Sequence, residues 1–83
     1  MSVTIKIPTM LKKLFNDSNE VQASGATIGQ ILSQLEQDFP GLEERLNTMI
    51  ILLDGKDIKA LHGLETPVNS ENEIRIIPLL SGG

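Results

Sequence analysis

One amphipathic helix, with strand patterns before and after it, most strongly limits the folds open to this chain. Thr27 and Gln30 have the spacing of a capping box, with a hydroxyl at the N-cap and an amide three residues later. Polar side chains fill the opposite side of the pattern, and Pro40-Gly41 ends it. The sequence therefore predicts one main helix that packs a single face on a core. The apolar side chains of that face are Ile28, Ile31, Leu32, Leu35 and Phe39.

Two strand patterns precede the helix and predict a hairpin. Val3, Ile5 and Ile7 alternate with polar residues, which is the period of a half-buried strand, and Pro8 closes it. Residues 20–24 alternate in the same way after a strong turn signal at residues 16–19. The segment that connects the two strands contains an apolar cluster. Its members are Leu11, Leu14 and Phe15.

Three further strands are predicted after the helix. Met49–Leu53 is an apolar run typical of a buried strand, and the Asp54-Gly55 pair predicts a tight turn after it. Lys56–Ile58 is predicted to return as a short strand, and residues 42–46 to form a short helical turn before Met49. In the last strand, residues 73–78, the two faces are distinct. Ile74 and Ile76 lie on one face, and Arg75 and Ile77 on the other.

This order predicts an α+β fold in which one main helix packs on one face of a mixed sheet. The first and last strands can pair in parallel, because the long connection between them includes the helix. That arrangement is the β-grasp layout. With 83 residues the chain has room for one domain. We predict this domain over residues 1–78 and a flexible tail over residues 79–83.

Composition argues against several function classes. The formal net charge of −4 offers no basic footprint for nucleic acid, so we expect no nucleic-acid partner. Residues 1–8 lack the pattern of a signal peptide, and the longest apolar run, Met49–Leu53, is too short to span a membrane. We therefore expect a cytoplasmic protein without a membrane partner. The chain has no cysteine, which excludes disulfides and a thiol nucleophile.

No side-chain constellation predicts catalysis or a bound metal. His62 is the one histidine and has no triad or metal partner near it in sequence. Gly25 and Gly29 flank the helix start without forming a phosphate-binding motif, so a turn and close packing are the better interpretations. Lys12-Lys13 is too short for a nucleic-acid patch and is interpreted as a solvated pair, with docking to an acidic partner as the alternative.

The last two residues, Gly82-Gly83, suggest a different kind of chemistry. Glycine has no Cβ, so a terminal glycine pair can enter a narrow active site of another protein. The carboxylate of Gly83 is a poor electrophile until ATP converts it to an acyl-adenylate. Sulfide or a persulfide can then displace AMP and leave a thiocarboxylate. The sulfur would be carried on the main chain, which is consistent with the absence of cysteine.

Three segments resemble the ubiquitin-like sulfur carriers, and the resemblance covers nearly the whole chain. They are VTIKIPTML (residues 3–11), VQASGATIGQILSQLEQDFPGLEERL (residues 21–46) and HGLETPVNSENEIRIIPLLSGG (residues 62–83). This family includes the small subunit of molybdopterin synthase, the thiamine-pathway carrier and a carrier of cysteine biosynthesis. The chain is most similar to the cysteine branch. The bulky residues of LLSGG leave the pathway open, with molybdopterin next.

The resemblance implies a non-catalytic role for this chain. It implies that Gly83 carries the thiocarboxylate and that Gly82 and Ser81 give access to it. An adenylyltransferase similar to ubiquitin-activating enzymes would use ATP and Mg, and this chain would bind no cofactor itself. A cysteine-synthase-like enzyme or a molybdopterin synthase large subunit would accept the sulfur. Partner docking is assigned to Ile77, Leu79 and Leu80, with Ile51 or Leu53 behind them unless those two belong to the core.

Two other functions fit the same sequence. The activated Gly83 could be joined to lysines of other proteins, which would make the chain a protein modifier. The domain could also be a plain interaction module with an inert tail.

Overall fold

The computed structural model describes residues 2–79 of the 83-residue chain. Five strands, two α-helices and three 3₁₀ helices follow one another in these residues. The strands are β1 (Ser2–Lys6), β2 (Glu20–Ser24), β3 (Met49–Leu53), β4 (Lys56–Asp57) and β5 (Glu73–Pro78). The α-helices are α1 (Ile28–Asp38) and α2 (Leu42–Leu46), and the 3₁₀ helices span Thr9–Phe15, Ile58–Ala60 and Gly63–Glu65.

The strands form one mixed sheet in the order β2-β1-β5-β3-β4. The first two strands are an antiparallel hairpin, as predicted, and β1 pairs in parallel with β5 through Lys6↔Arg75. On its other side β5 pairs antiparallel with β3 along five residues, from Met49↔Pro78 to Leu53↔Ile74. The last strand of the chain is therefore the central strand of the sheet, and the predicted α+β, β-grasp layout is confirmed.

Helix α1 begins at the predicted cap. The Thr27 hydroxyl oxygen accepts a hydrogen bond from the Gln30 backbone N–H at 3.2 Å. The Gln30 side chain differs from a standard capping box, because its amide oxygen accepts from Ala26 N–H at 2.7 Å and not from the cap residue. The helix ends before Gly41, whose φ of +104° is open to glycine and strained for other residues.

The core lies between the inner face of the sheet and α1, and it is aliphatic apart from one aromatic pair. Phe15 of the first 3₁₀ helix contacts Phe39, the residue that ends α1, with ring centroids 4.5 Å apart. This contact joins the connection after β1 to the end of the helix. Side chains that are almost completely buried come from β1, the first 3₁₀ helix, α1, α2 and β5: Val3, Ile5, Leu11, Phe15, Ile28, Ile31, Leu35, Leu42, Ile74 and Ile76.

Two segments differ from the sequence predictions. The strand predicted over Lys56–Ile58 ends at Asp57, because the Asp57 carboxylate accepts from Lys59 N–H at 2.8 Å and starts a 3₁₀ turn that buries Ile58. The connection between β1 and β2 is a 3₁₀ helix over Thr9–Phe15 that buries Leu11 and Phe15. Within residues 2–79, no helix is both long and apolar enough to cross a membrane.

Gly29 provides close packing, as the sequence suggested. A Cβ at this position would lie 3.1 Å from the carbonyl oxygen of Leu64. That carbonyl is held in place, because Glu65 N–H donates to His62 O and Thr66 N–H donates to Gly63 O within the same turn. A hydrogen bond of 3.0 Å from Ile28 N–H to Thr66 O also fixes this 3₁₀ turn to the start of α1.

We predict that Gly29→Ala destabilises the fold. At an exposed helix position, alanine is more stabilising than glycine by about 1 kcal/mol. Overpacking against a fixed backbone costs about 1–3 kcal/mol, so the net effect is a lower free energy of unfolding. Urea unfolding followed by circular dichroism measures the change. Ser33→Ala, at an exposed position of the same helix, is the control and should change the free energy of unfolding by less than about 0.5 kcal/mol. A gain in stability for Gly29→Ala would contradict the close approach.

Candidate functional site

The chain leaves the sheet at the end of its central strand. Pro78, the last residue of β5, lies opposite Met49, and the Leu79 N–H donates a hydrogen bond of 3.0 Å to the Thr48 carbonyl. The strand ladder with β3 therefore continues one residue beyond β5. Because β3 pairs with β5 up to Pro78, the point from which the C-terminal residues extend is fixed to the sheet on the β3 side.

The predicted chemistry lies beyond this point. Leu80, Ser81, Gly82 and Gly83 are outside the described residues, so their assigned roles stay predictions, as does the flexible tail over residues 79–83. Covalent geometry still limits them, because four residues span at most about 13–14 Å. Any enzyme that acts on the Gly83 carboxylate must therefore contact the end of the domain around Leu79.

Ile77 and Leu79 begin an apolar strip on the outer face of the sheet. Ile77 is half-buried and pairs with Ile50 of β3, and Leu79, two residues further along, is 57 % exposed. Leu52, also half-buried, lies two residues beyond Ile50 on the same face. We call Ile50, Leu52, Ile77 and Leu79 the apolar strip. It leads directly to the point where the tail begins.

The other half of the same face is polar, and its side chains on β1 and β2 pair with one another. Gln22 accepts from the Ser2 hydroxyl at 3.0 Å and donates to the Thr4 hydroxyl at 2.8 Å. Lys6 contacts Glu20 at 2.6 Å, and this hydrogen bond and the attraction of the carboxylate raise the pKa of Lys6 above its ordinary value. The outer face is therefore divided into a polar part on β1, β2 and the start of β5, where Glu73 and Arg75 pair, and an apolar part on β3 and the end of β5.

The register of β3 shows whether Ile51 and Leu53 belong to the core or lie behind the docking residues. Ile51 and Leu53 are 9 % and 8 % exposed and belong to the core, so their alternative assignment behind the docking residues is wrong. Their neighbours Ile50 and Leu52 occupy the outer face instead, because successive side chains of a strand point to opposite faces. A run of five apolar residues does not reveal which alternate set is exposed.

A chain of hydrogen bonds links the end of α1 to the point where the tail begins. The Glu36 carboxylate accepts from Glu43 N–H at 2.9 Å and Gly41 N–H at 3.0 Å, and these two bonds lower the pKa of Glu36. The carboxylate thus holds the start of α2. At the end of α2, the Arg45 carbonyl accepts from both the backbone N–H and the hydroxyl of Thr48, whose own carbonyl binds Leu79.

Sequence reasoning did not identify Met10, which lies at the same end of the sheet as Leu79. Met10 comes four residues after Lys6, and Leu79 comes four residues after Arg75, the register partner of Lys6 in the parallel pair. Met10 is 58 % exposed, which is unusual for a large apolar side chain beside a core element. The predicted parallel pairing of the first and last strands was the signal that could have placed it there.

Residues 2–79 contain no group of three or more acidic or histidine side chains placed to hold a metal ion. His62 is exposed, and its backbone N–H donates to the Thr66 hydroxyl oxygen at 3.0 Å. The described part of the chain therefore offers a scaffold and a surface around the start of the tail, and the reactive group suggested by the sequence is the main-chain carboxylate of Gly83.

Comparisons with known proteins agree with this description. The model of the ThiS family matches residues 5–83. The sulfur carrier protein CysO of Mycobacterium tuberculosis is 31 % identical over 93 aligned residues that include all of both chains. A crystal structure of the Amycolatopsis orientalis BexX/CysO complex contains a chain with a TM-score of 0.88 and 28 % identity, with 98 % of this chain and 99 % of that one covered.

A second solved structure carries a different functional name. The small archaeal modifier protein 1 of Methanosarcina acetivorans has a TM-score of 0.86 and 27 % identity to this chain. The match covers 99 % of this chain and 96 % of the archaeal one.

We predict that Glu36→Gln lowers the melting temperature by a few degrees at pH 7, because an amide replaces the carboxylate that accepts two backbone N–H groups. The folded-state pKa of Glu36 lies below its ordinary value of 4.5, so the stabilisation is present above pH 4.5 and is lost as the pH falls through the folded-state pKa. Thermal unfolding of both proteins between pH 3 and pH 7 measures this difference.

The matched control is Asp38→Asn, an exposed acidic position in the last turn of the same helix. It should leave the melting temperature nearly unchanged at pH 7. A Glu36→Gln deficit that stays constant down to pH 3 would show that the carboxylate charge does not hold α2.

Proposed function

Because the chain belongs to the ThiS family, we propose that it is a sulfur carrier protein whose Gly83 carboxylate is adenylated and then converted to a thiocarboxylate. The observation that carries the proposal is the Gly82-Gly83 end, which begins four residues after the last residue of the central strand. Full-length similarity to proteins named sulfur carriers supports it. The cysteine pathway is the favoured destination of the sulfur, and molybdopterin is next.

The proposed chemistry uses the carboxylate as a substrate of other enzymes. A carboxylate oxygen of Gly83 attacks the α-phosphorus of ATP, the bond to the β-phosphate oxygen breaks, and pyrophosphate leaves. Sulfide then attacks the acyl carbon and displaces AMP, which leaves the thiocarboxylate. ATP and Mg belong to the activating partner, an adenylyltransferase resembling ubiquitin-activating enzymes. Because this chemistry needs a supply of ATP, we place the protein in the cytoplasm.

The described residues contribute position and recognition to this chemistry. The hydrogen bond from Leu79 to Thr48 fixes where the tail starts. A partner that binds the apolar strip therefore holds the start of the tail at a defined position relative to its own active site. Ordering a short tail from a fixed origin costs less entropy than ordering a longer loose segment. Gly82 and Ser81 would then pass through a narrow channel to the partner's active site.

We assign partner docking to the apolar strip and Leu80. Exposed apolar patches with a polar border are typical of protein interaction sites, and the strip has such a border in the polar half of the sheet. The activating enzyme and the sulfur-accepting synthase both need the tail, so both would use this surface. The synthase is cysteine-synthase-like or a molybdopterin synthase large subunit.

Conjugation to lysines of other proteins is the second candidate function. The similarity to the archaeal modifier protein favours it, because that protein matches over almost its whole length. Both functions require the same activated Gly83, and they differ in the nucleophile that attacks the acyl-adenylate.

Mass spectrometry of the native protein tests sulfur carriage. We predict a species heavier by about 16 Da, because one carboxylate oxygen is replaced by sulfur. The extra mass should map to the C-terminal peptide, and deletion of Gly82-Gly83 should abolish both this species and ATP-dependent activation. Gly-Gly remnants on lysines of other proteins, with no heavier species, would support conjugation instead. Activation that survives the deletion would exclude both functions.

We predict that Ile77→Asp weakens binding to the activating enzyme by roughly tenfold or more, because a charge replaces an apolar contact near the start of the tail. The Michaelis constant for this chain in ATP–pyrophosphate exchange measures the effect. Gln22→Asp, which adds the same charge to the polar half of the face, is the control and should change the constant by less than about threefold. Equal effects of the two variants would mean that the apolar strip is not the docking surface.

A further inference from the structure

The basic residues of this acidic chain are unevenly distributed. Residues 1–16 contain Lys6, Lys12 and Lys13 and no acidic side chain. Three of the seven Lys and Arg residues therefore lie in this stretch, and the other four are set against all eleven Asp and Glu residues. The segment around the first 3₁₀ helix is thus a basic island on a chain whose formal net charge is −4.

Two of these lysines have no acidic partner within residues 2–79. The ion pairs in this part of the chain are Lys6–Glu20 and Arg75–Glu73. Lys12 and Lys13 lie in the last turn of the Thr9–Phe15 helix, and the helix is anchored because Leu11 and Phe15 are each 1 % exposed. Their backbone positions are therefore fixed, and their charges are available to a partner.

The parallel sheet pairing directs this basic helix to the same end of the sheet as the start of the tail. β1 and β5 run in the same direction, so the residues that follow each strand emerge at the same end of the sheet. Met10 follows β1, and Leu79 follows β5. Both are more than half exposed, although large apolar side chains in small domains are usually buried.

We propose that Met10, Lys12 and Lys13 form a second docking element, which binds the activating enzyme beside the entrance for the tail. This proposal rests on the proposed function. The enzyme surface that it requires has an apolar recess for Met10 and acidic side chains opposite the two lysines. We name the activating enzyme as the occupant because both candidate uses of Gly83, sulfur carriage and conjugation, begin with activation.

Charge complementarity gives this element a specific task. An acidic enzyme surface repels most of this chain, whose charge outside residues 1–16 is strongly negative. It attracts the helix that carries Lys12 and Lys13, and this helix follows β1 at the end of the sheet where β5 also ends. Opposite charges at the border of an interface mainly raise the association rate and select the orientation of encounter. The basic helix therefore directs the tail toward the active site before the apolar strip makes contact.

Charge reversal tests the proposal. In ATP–pyrophosphate exchange with the full chain and its adenylyltransferase, the double variant Lys12→Glu/Lys13→Glu should raise the Michaelis constant for this chain about tenfold and leave kcat unchanged. The constant of the unmodified chain should increase as sodium chloride is raised from 50 to 500 mM, and that of the variant should not increase, because salt screens the attraction. Met10→Ala should raise the constant without altering its salt dependence.

The matched control is Lys56→Glu, compared with Lys13→Glu, because each single variant makes the same change in charge. Lys56 pairs with Leu53, whose other neighbour is Ile74, so it lies toward the opposite end of the sheet from Pro78. This control should change the Michaelis constant by less than about twofold. Equal effects of Lys13→Glu and Lys56→Glu would overturn the proposal, since net charge alone would then explain them.

Two further measurements keep the outcomes separate. Thermal unfolding of each variant shows whether the fold survives, and Lys13→Glu, at the more exposed of the two positions, replaces the double variant if that variant unfolds. If deletion of Gly82-Gly83 leaves activation intact, the proposed function fails. The docking element alone fails if the deletion abolishes activation but the lysine variant has the Michaelis constant of the unmodified chain. The lysine variant is Lys12→Glu/Lys13→Glu, or Lys13→Glu in its place.

Discussion

Backbone hydrogen bonding between β1 and β5 joins the two ends of the chain in the middle of the sheet. Parallel strands cannot be joined by a tight turn, and here β2, α1, α2, β3 and β4 all lie between them in sequence. Because the two strands run in the same direction, Leu79 and the first 3₁₀ helix follow their strands at the same end of the sheet. The same pairing places β5 between two neighbours, and the tail therefore follows the central strand of the sheet.

Much of this fold could be predicted because its strands and its helix have clear periods. Val3, Ile5 and Ile7 alternate over a half-buried strand, and the apolar face of α1 recurs at helical spacing, so both were identified with nearly correct bounds. The first 3₁₀ helix was less predictable, since it has a different period from an α-helix and its stability comes from burying Leu11 and Phe15 in the core. The early end of β4 depends on one side-chain bond from Asp57, which a residue pattern does not encode.

The candidate site divides in the same way. The Gly82-Gly83 end is local in sequence, and its chemistry could be inferred from residue type alone. The docking surface depends on contacts between distant segments. The pairing of β3 with β5 places Ile50 and not Ile51 on the outer face, and the pairing of β1 with β5 directs Met10 and Leu79 to the same end of the sheet. The residue types of Ile50 and Met10 do not indicate docking by themselves. Their positions on the surface follow from the pairing of the strands.

The short reach of the tail has a consequence for how a carrier of this kind must work. Four residues after Leu79 span at most about 13–14 Å, so an enzyme that activates Gly83 and an enzyme that later uses it must both cover the same end of the domain. Their binding is therefore mutually exclusive, and the carrier must leave the first before it meets the second. A large apolar surface would make that release slow, because most differences in affinity appear in the dissociation rate. A narrow apolar strip combined with a charged helix meets this requirement, since the charges speed up encounter while the small apolar contact keeps each complex short-lived.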